Sequence, residues 1–269
     1  MTGGKRNFIA VPSLILWLGF GALGLAWLGF FLVDMLDIFG MGTALYQAME
    51  DPGHLSPWVQ PWLWVTLFKE GGPIEVLQWL FLASASGISF HLHGRISAWG
   101  MAGKDTGRVR LFWLLMGIAF LLMLIEDSGN VRHLLRHLME ASLGTTAKSI
   151  SELMYFAALG AVPLSALVFF GRPALRLPRT RIYLLGGFFL YALAAAGSAT
   201  RYQWYDKTGM WLHENVFQEA LKVVQVGNLP HGFVIMDYLL EESLELAAAA
   251  MLAAAAASFM AEWKTPSPS

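Results

Sequence analysis

The chain has 269 residues, of which 56% are hydrophobic and 14% charged, and its formal net charge is −1. Soluble chains carry about 25% charged residues. A globular core of this length cannot hide so much apolar side chain, so lipid is the expected solvent for much of it. The absence of Cys excludes disulfides, thiolate metal sites and cysteine nucleophiles.

Apolar runs long enough to cross a hydrocarbon core, which takes about 20 helical residues, fall at 8–33, 74–93, 111–127, 150–171, 182–200 and 234–261. They are continuous rather than alternating, which predicts helices and not a barrel. The expected fold class is therefore all-α, a polytopic transmembrane bundle of about six spans. It forms one domain over 1–264, followed by a disordered Pro/Ser tail at 265–269.

The first run follows Lys5-Arg6. It is too long for a signal-peptide core and lacks a small-x-small cleavage site, so an uncleaved span is expected. Residues 34–73 carry Trp58, Trp62 and Trp64 among Pro52, Pro57 and Pro61, as in an element lying in the membrane interface. The second span opens with Glu75 and closes at His91 and His93, and the third ends in Glu126-Asp127. Beyond it, Val131, Leu134, Leu135 and Leu138 recur at helical spacing, with Arg132, His133, Arg136 and His137 on the other face. That pattern predicts a short amphipathic helix on the membrane surface.

Glu152 opens the fourth span. After the fifth, the stretch Arg201-Tyr202-Gln203-Trp204-Tyr205-Asp206 has the composition of an aromatic anchor, and a helix is expected from Glu214 to Val224. The sixth span carries Asp237, Glu241, Glu242 and Glu245 in its first turns. The Ala-rich run from Ala247 to Ala257 follows, a smooth face for close helix contact.

Orientation follows from the basic residues. Lys5, Arg6, Arg95, Lys104, Arg108, Arg110, Arg172, Arg176, Arg179, Arg181 and Lys264 fall in the N-terminus, two short loops and the C-terminus, which places both termini in the cytoplasm. Of the 19 acids, all but Asp105 and Glu262 then fall on the outer side. Spans two, four and six enter from that side, so their first turns share one depth.

These positions define a candidate site at the outer, periplasmic face. Glu241 and Glu245 are i, i+4 and Glu242 and Glu245 are i, i+3. Like charges at those spacings repel, and lipid raises the cost of each, so protons, a cation or Arg side chains must compensate. Glu126, Asp127, Glu242 and Glu245 are the candidate acid–base or ligand carboxylates. Arg132, Arg136 and Arg201 are candidates to bind an anionic headgroup. His133 and His137, at i, i+4, are with Glu75 the candidate ligands of a divalent metal. For Glu75 and Glu152 the competing explanation is simple complementarity to a helix dipole. For the His/Arg helix it is contact with anionic lipid.

Lys69-Glu70-Gly71-Gly72-Pro73-Ile74-Glu75, a span, a basic loop, and a next span ending Ile125-Glu126-Asp127-Ser128-Gly129-Asn130-Val131-Arg132 resemble a group of uncharacterised bacterial polytopic inner-membrane proteins. In that group an acidic-Gly turn leads to a Glu that opens one span, and the next span ends in an acidic pair followed by a basic residue. The resemblance covers 69–133. It departs at Val76, where an aromatic is usual, and at Ser128-Gly129. It implies a bacterial inner membrane and groups Glu75, Glu126, Asp127 and Arg132, but implies no activity.

There is no phosphate-binding loop, dinucleotide fingerprint, nucleophile elbow or HExxH motif, and the basic residues are topology signals rather than a nucleic-acid footprint. The leading expectation is a metal-dependent or acid–base enzyme acting on a lipid-borne substrate. The alternatives are a non-catalytic subunit or assembly factor that binds a protein partner or a second copy through its outer loops, and a proton- or cation-coupled transporter.

Overall fold

The computed structural model describes residues 4–50, 62–98, 104–131, 134–135, 138, 141–142, 145–200, 204–217 and 231–263. Among them every regular element is helical and no strand occurs. This is the expected all-α class. In a lipid-solvated chain a helix keeps its backbone hydrogen bonds within one segment.

The principal helices are α1 (Gly4–Gly29), α2 (Met41–Glu50), α3 (Leu63–Phe68), α4 (Pro73–Ala98), α5 (Lys104–Gly129), α6 (Thr145–Ser165), α7 (Pro178–Ala199), α8 (Asp206–Leu212) and α9 (Glu242–Glu262). Wider π-helical turns extend α1 over Phe30–Met35 and α6 over Ala166–Phe170. Others follow α8 over His213–Phe217 and lead into α9 over Ile235–Glu241.

Four stretches, Val11–Met35, Asp105–Gly129, Pro178–Ser198 and Ile235–Glu262, are long and apolar enough to cross a membrane. They correspond to the first, third, fifth and sixth expected spans, and the chain has the make-up of a membrane protein. The other two expected spans differ for identifiable reasons. α4 has 26 residues, about 39 Å of helix, but Gln78, Ser84, Ser86, Ser89, His91 and His93 dilute its apolar character. In the α6 region the described apolar helix runs over Met154–Phe170, and the side chains of 150–153, where the expected span begins, lie outside the described residues.

Outer segments are described in part. The predicted 131–139 helix is seen at Val131, Leu134, Leu135 and Leu138, all helical, with Leu134 and Leu138 exposed. Arg132, His133, Arg136 and His137 lie outside the described residues. The helix expected at Glu214 to Val224 starts earlier, at Asp206, and is described to Phe217.

The chain divides into two compact units. The first comprises Met1–Trp17, Trp79–Phe189 and Ala248–Ser269, the second Leu18–Gln78 and Leu190–Ala247. In the first unit, α5 meets α9 through rings: Trp113 and Phe259 lie 4.9 Å apart, and Phe259 stacks on Trp263 at 5.0 Å. Ser86 Oγ donates to the Gly117 carbonyl at 2.9 Å, tying α4 to α5 near a close ring contact of Phe90 with Gly117. The alanines of the 247–257 stretch of α9 are buried, and α7 approaches them at Gly187. A Cβ there would come within 2.7 Å of Leu252 Cγ. Small residues on both helices allow this approach, as the alanine run predicts.

The second unit has an aromatic core in which Phe30 meets Trp27, Trp64 and Phe217 edge-on, and Trp27 also meets Phe68. Short helix α3 packs against the π-turn Ile235–Glu241. α8 crosses the turn His231–Val234 so closely that a Cβ on Gly209 would lie 2.0 Å from the Gly232 carbonyl oxygen.

Candidate functional site

The second unit buries carboxylates. Asp34, Glu75, Asp237, Glu241 and Glu242 are all nearly inaccessible, and Glu245 is half-buried. Lys69 and Lys207 are the cations among its described residues, the latter exposed. Arg201, a candidate to bind an anionic headgroup, lies outside them.

Glu75 sits in the first turn of α4, where its carboxylate accepts the Gly71 N–H. Gly71 has a φ of +73°, a left-handed conformation that costs glycine nothing. Backbone of the same turn crowds Gly72, where a Cβ would meet the Lys69 carbonyl oxygen at 2.6 Å. Glu75 thus closes the Lys69–Gly72 turn like the acidic member of a capping box, so it has a structural role whatever else it does. One turn on, Gln78 is fully buried and donates through Nε2 to Glu245 Oε2 at 3.1 Å. This bond joins the Glu75/Gln78 face of α4 to the Glu241/Glu242/Glu245 face of the last helix.

Tyr205 completes the geometry. The sequence suggests an anchor residue here, but its side chain is buried. Its phenol oxygen lies 2.8 Å from Glu241 Oε2 and 2.9 Å from the Met236 carbonyl oxygen. A phenol carries one proton and a carbonyl oxygen can only accept. The phenol's one proton faces two acceptors, so it is shared between them or given to one at a time. Trp204, its neighbour, is exposed and keeps the character of an interfacial aromatic. On the opposite flank of the helix, Ser243 Oγ donates to the Leu239 carbonyl and accepts Trp27 Nε1–H at 3.0 Å.

Asp34 has no place among the expected site residues. It lies in the π-helical end of the first span and accepts the backbone N–H of Leu63 at 3.0 Å and of Trp64 at 2.8 Å. Its carboxylate therefore caps α3, whose Trp64, Val65 and Phe68 are buried. An acid inside an otherwise apolar run is itself a signal. Gln78, three residues after Glu75 on the same helical face, and Tyr205 carry weaker ones.

Of the expected carboxylates, Glu242 and Glu245 lie with Glu75 in the second unit. Glu126 and Asp127 are half-buried at the end of α5, in the first unit. Arg132, Arg136, Arg201, His133 and His137 lie outside the described residues, as does the side chain of Glu152. Among the described residues no group of three or more His, Asp or Glu is arranged to hold a metal ion. What the described side chains can do is hold and share protons: several carboxyl groups in a low-dielectric setting, a phenol within hydrogen-bond reach, and an amide fixing one carboxylate. Comparison with protein-family models, curated proteins and solved structures finds no match.

Proposed function

We propose that this is a polytopic protein of a bacterial inner membrane, crossing it about six times with both termini cytoplasmic. Its activity is acid–base chemistry on a lipid-borne substrate near the periplasmic face. Glu241, Glu242 and Glu245 hold and exchange protons, with Tyr205 and Gln78 as their hydrogen-bonding partners. Arg201, which follows the fifth span, supplies charge for an anionic headgroup.

The observation that carries this reading is the Tyr205 phenol set between the Met236 carbonyl and Glu241, an arrangement with room for one more proton than the phenol owns. Crowded carboxyl groups in a low-dielectric site cannot all ionise together, so such a site exchanges protons with whatever reaches it. Positive-inside asymmetry supports the orientation, and the resemblance of the 69–133 stretch to a group of bacterial inner-membrane proteins supports the location. A transport path is less favoured, because Leu246 to Met260 of the last helix holds no charged residue and is buried except at Met251 and Met260.

The test is infrared difference spectroscopy of the full chain in nanodiscs between acid and alkaline buffer. The expected result is a protonated-carboxyl band that is lost in Glu241→Gln and displaced in Tyr205→Phe. A spectrum unchanged by both substitutions, with the folded variants verified by gel filtration, refutes the reading. Native mass spectrometry of the same preparation reports retained lipid, metal and partner chains together.

A further inference from the structure

The first span does not end cleanly. Beyond Met35 the chain turns through Asp37, Phe39 and Gly40, all with positive φ (44°, 59° and 69°). A bulky aromatic with positive φ is a backbone outlier, which persists only where its surroundings hold it. Here they do. Asp37 accepts the Thr43 hydroxyl at 2.6 Å and the Thr43 N–H at 3.0 Å, and Gly40 N–H bonds back to the Asp37 carbonyl at 2.9 Å. Gly42 lies so close to the Val33 carbonyl that a Cβ would approach it to 2.6 Å. The clasp buries nothing at its tip. Phe39 is 96% exposed, and Leu36 and Met41 beside it are exposed as well.

Water is a poor solvent for this tip, and the same helix shows what replaces it. Leu18, Leu25, Leu28 and Phe31 are large, apolar and exposed, recurring along the span at spacings of seven, three and three residues. In a stretch long and apolar enough to cross a bilayer, such a stripe is a lipid-facing surface. Leu36, Phe39 and Met41, also exposed, follow the stripe in the chain just past the end of the span at Met35.

We propose that the clasped loop 36–41 is a lipid-inserting knob, with the Phe39 ring held in the headgroup and acyl boundary of the bilayer that α1 crosses. Phe and Leu side chains of interfacial segments bury at this boundary, and a rigid clasp avoids the ordering cost a mobile loop would incur on insertion. The knob would fix the depth of α1 in the bilayer and crowd the lipids beside it. The proposal rests on the membrane-spanning reading of α1 but not on the acid–base site.

Because the chain has no Cys, single nitroxide labels can be placed without background. Phe39→Cys and Leu25→Cys are labelled in the full chain, reconstituted in phosphatidylethanolamine/phosphatidylglycerol nanodiscs, and their accessibility to oxygen and to a water-soluble nickel chelate is measured. The expected result is an oxygen-accessible, nickel-protected label at both positions, shallower at 39. Adding Asp37→Ala should then raise nickel access at position 39 several-fold while leaving position 25 unchanged. A nickel-accessible label at 39 beside a protected one at 25 overturns the knob and spares the span. Nickel access at both positions overturns the span itself. A label at 39 shielded from both reagents overturns the lipid assignment in favour of a covering protein.

Discussion

Asp34→Ala is the substitution that most directly tests how the second unit is built. The side chain is buried and accepts two main-chain amides at 3.0 and 2.8 Å. Its removal takes the acceptor from the partly buried N–H of Leu63 and the buried N–H of Trp64. Each such group costs about 1–3 kcal/mol, and relief from burying the carboxylate offsets part of this. The net loss is about 2–4 kcal/mol by the same figures. Asp34→Asn keeps one acceptor oxygen and should lose about half as much. The damage should be local first, because α3 has six residues and cannot stand alone as a helix. Hydrogen exchange of the full chain in nanodiscs should show Leu63–Phe68 unprotected in Asp34→Ala and partly protected in Asp34→Asn. Protection should also fall at the Lys69–Gly72 turn that follows α3 and leads to Glu75. Equal protection in wild type and Asp34→Ala, with unchanged melting, would refute the cap.

Three further outcomes are expected. Tyr205→Phe keeps the ring and removes the hydroxyl shared by Met236 and Glu241, so melting should report a loss of about 1–3 kcal/mol. Gly187→Ala places a Cβ 2.7 Å from Leu252 Cγ and 3.1 Å from the Ala248 carbonyl oxygen and should destabilise by about 1–3 kcal/mol. Gly21→Ala meets nothing within 4 Å on its helix and should be neutral or stabilising by up to about 1 kcal/mol; reversal of that order in thermal melts would count against the α7–α9 packing. The hydroxyl and N–H of Thr43 hold the Asp37 carboxyl below its ordinary 3.8. The clasp is therefore intact above that pH and is lost as pH falls through the lower folded-state value. A spin label at position 39 should accordingly loosen only in strong acid, and loosening between neutral pH and 5 would contradict the clasp.

The sequence conveys the helices and their packing faces more fully than the site. Continuous apolar runs can satisfy their backbone groups only as helices, and the alanine run over 247–257 is found packed against Gly187 of α7. Helix ends are less legible because they continue through polar residues beyond the apolar runs: Lys104–Gly129 against an expected 111–127, and Pro178–Ala199 against 182–200. Tyr205 shows why single residues mislead. Beside Trp204 it has the composition of an interfacial pair, yet one ring is exposed and the other is enclosed against Glu241. Nothing in the local sequence decides between them, since the partner lies 36 residues away.

The π-turn over Ile235–Glu241 explains a further part of what spacing alone misses. Each π-turn inserts a residue relative to α-helical register, so i, i+4 arithmetic fails between Asp237 and Glu241, while the i, i+3 spacing of Glu242 and Glu245 holds inside α9. The carboxylates after the turn keep the shared face that their spacing predicts, and Gln78 finds Glu245 there. Asp237, within the turn, is rotated out of that register. The wide turn also brings the Met236 carbonyl within reach of an outside donor, Tyr205. If the turn serves the site, deleting one residue within 235–240 should restore α-helical register and part Tyr205 from Glu241. The infrared signature of Glu241 should then vanish while the helical content read by circular dichroism stays the same. Retention of that signature in the deletion variant would show that the turn is incidental to the site.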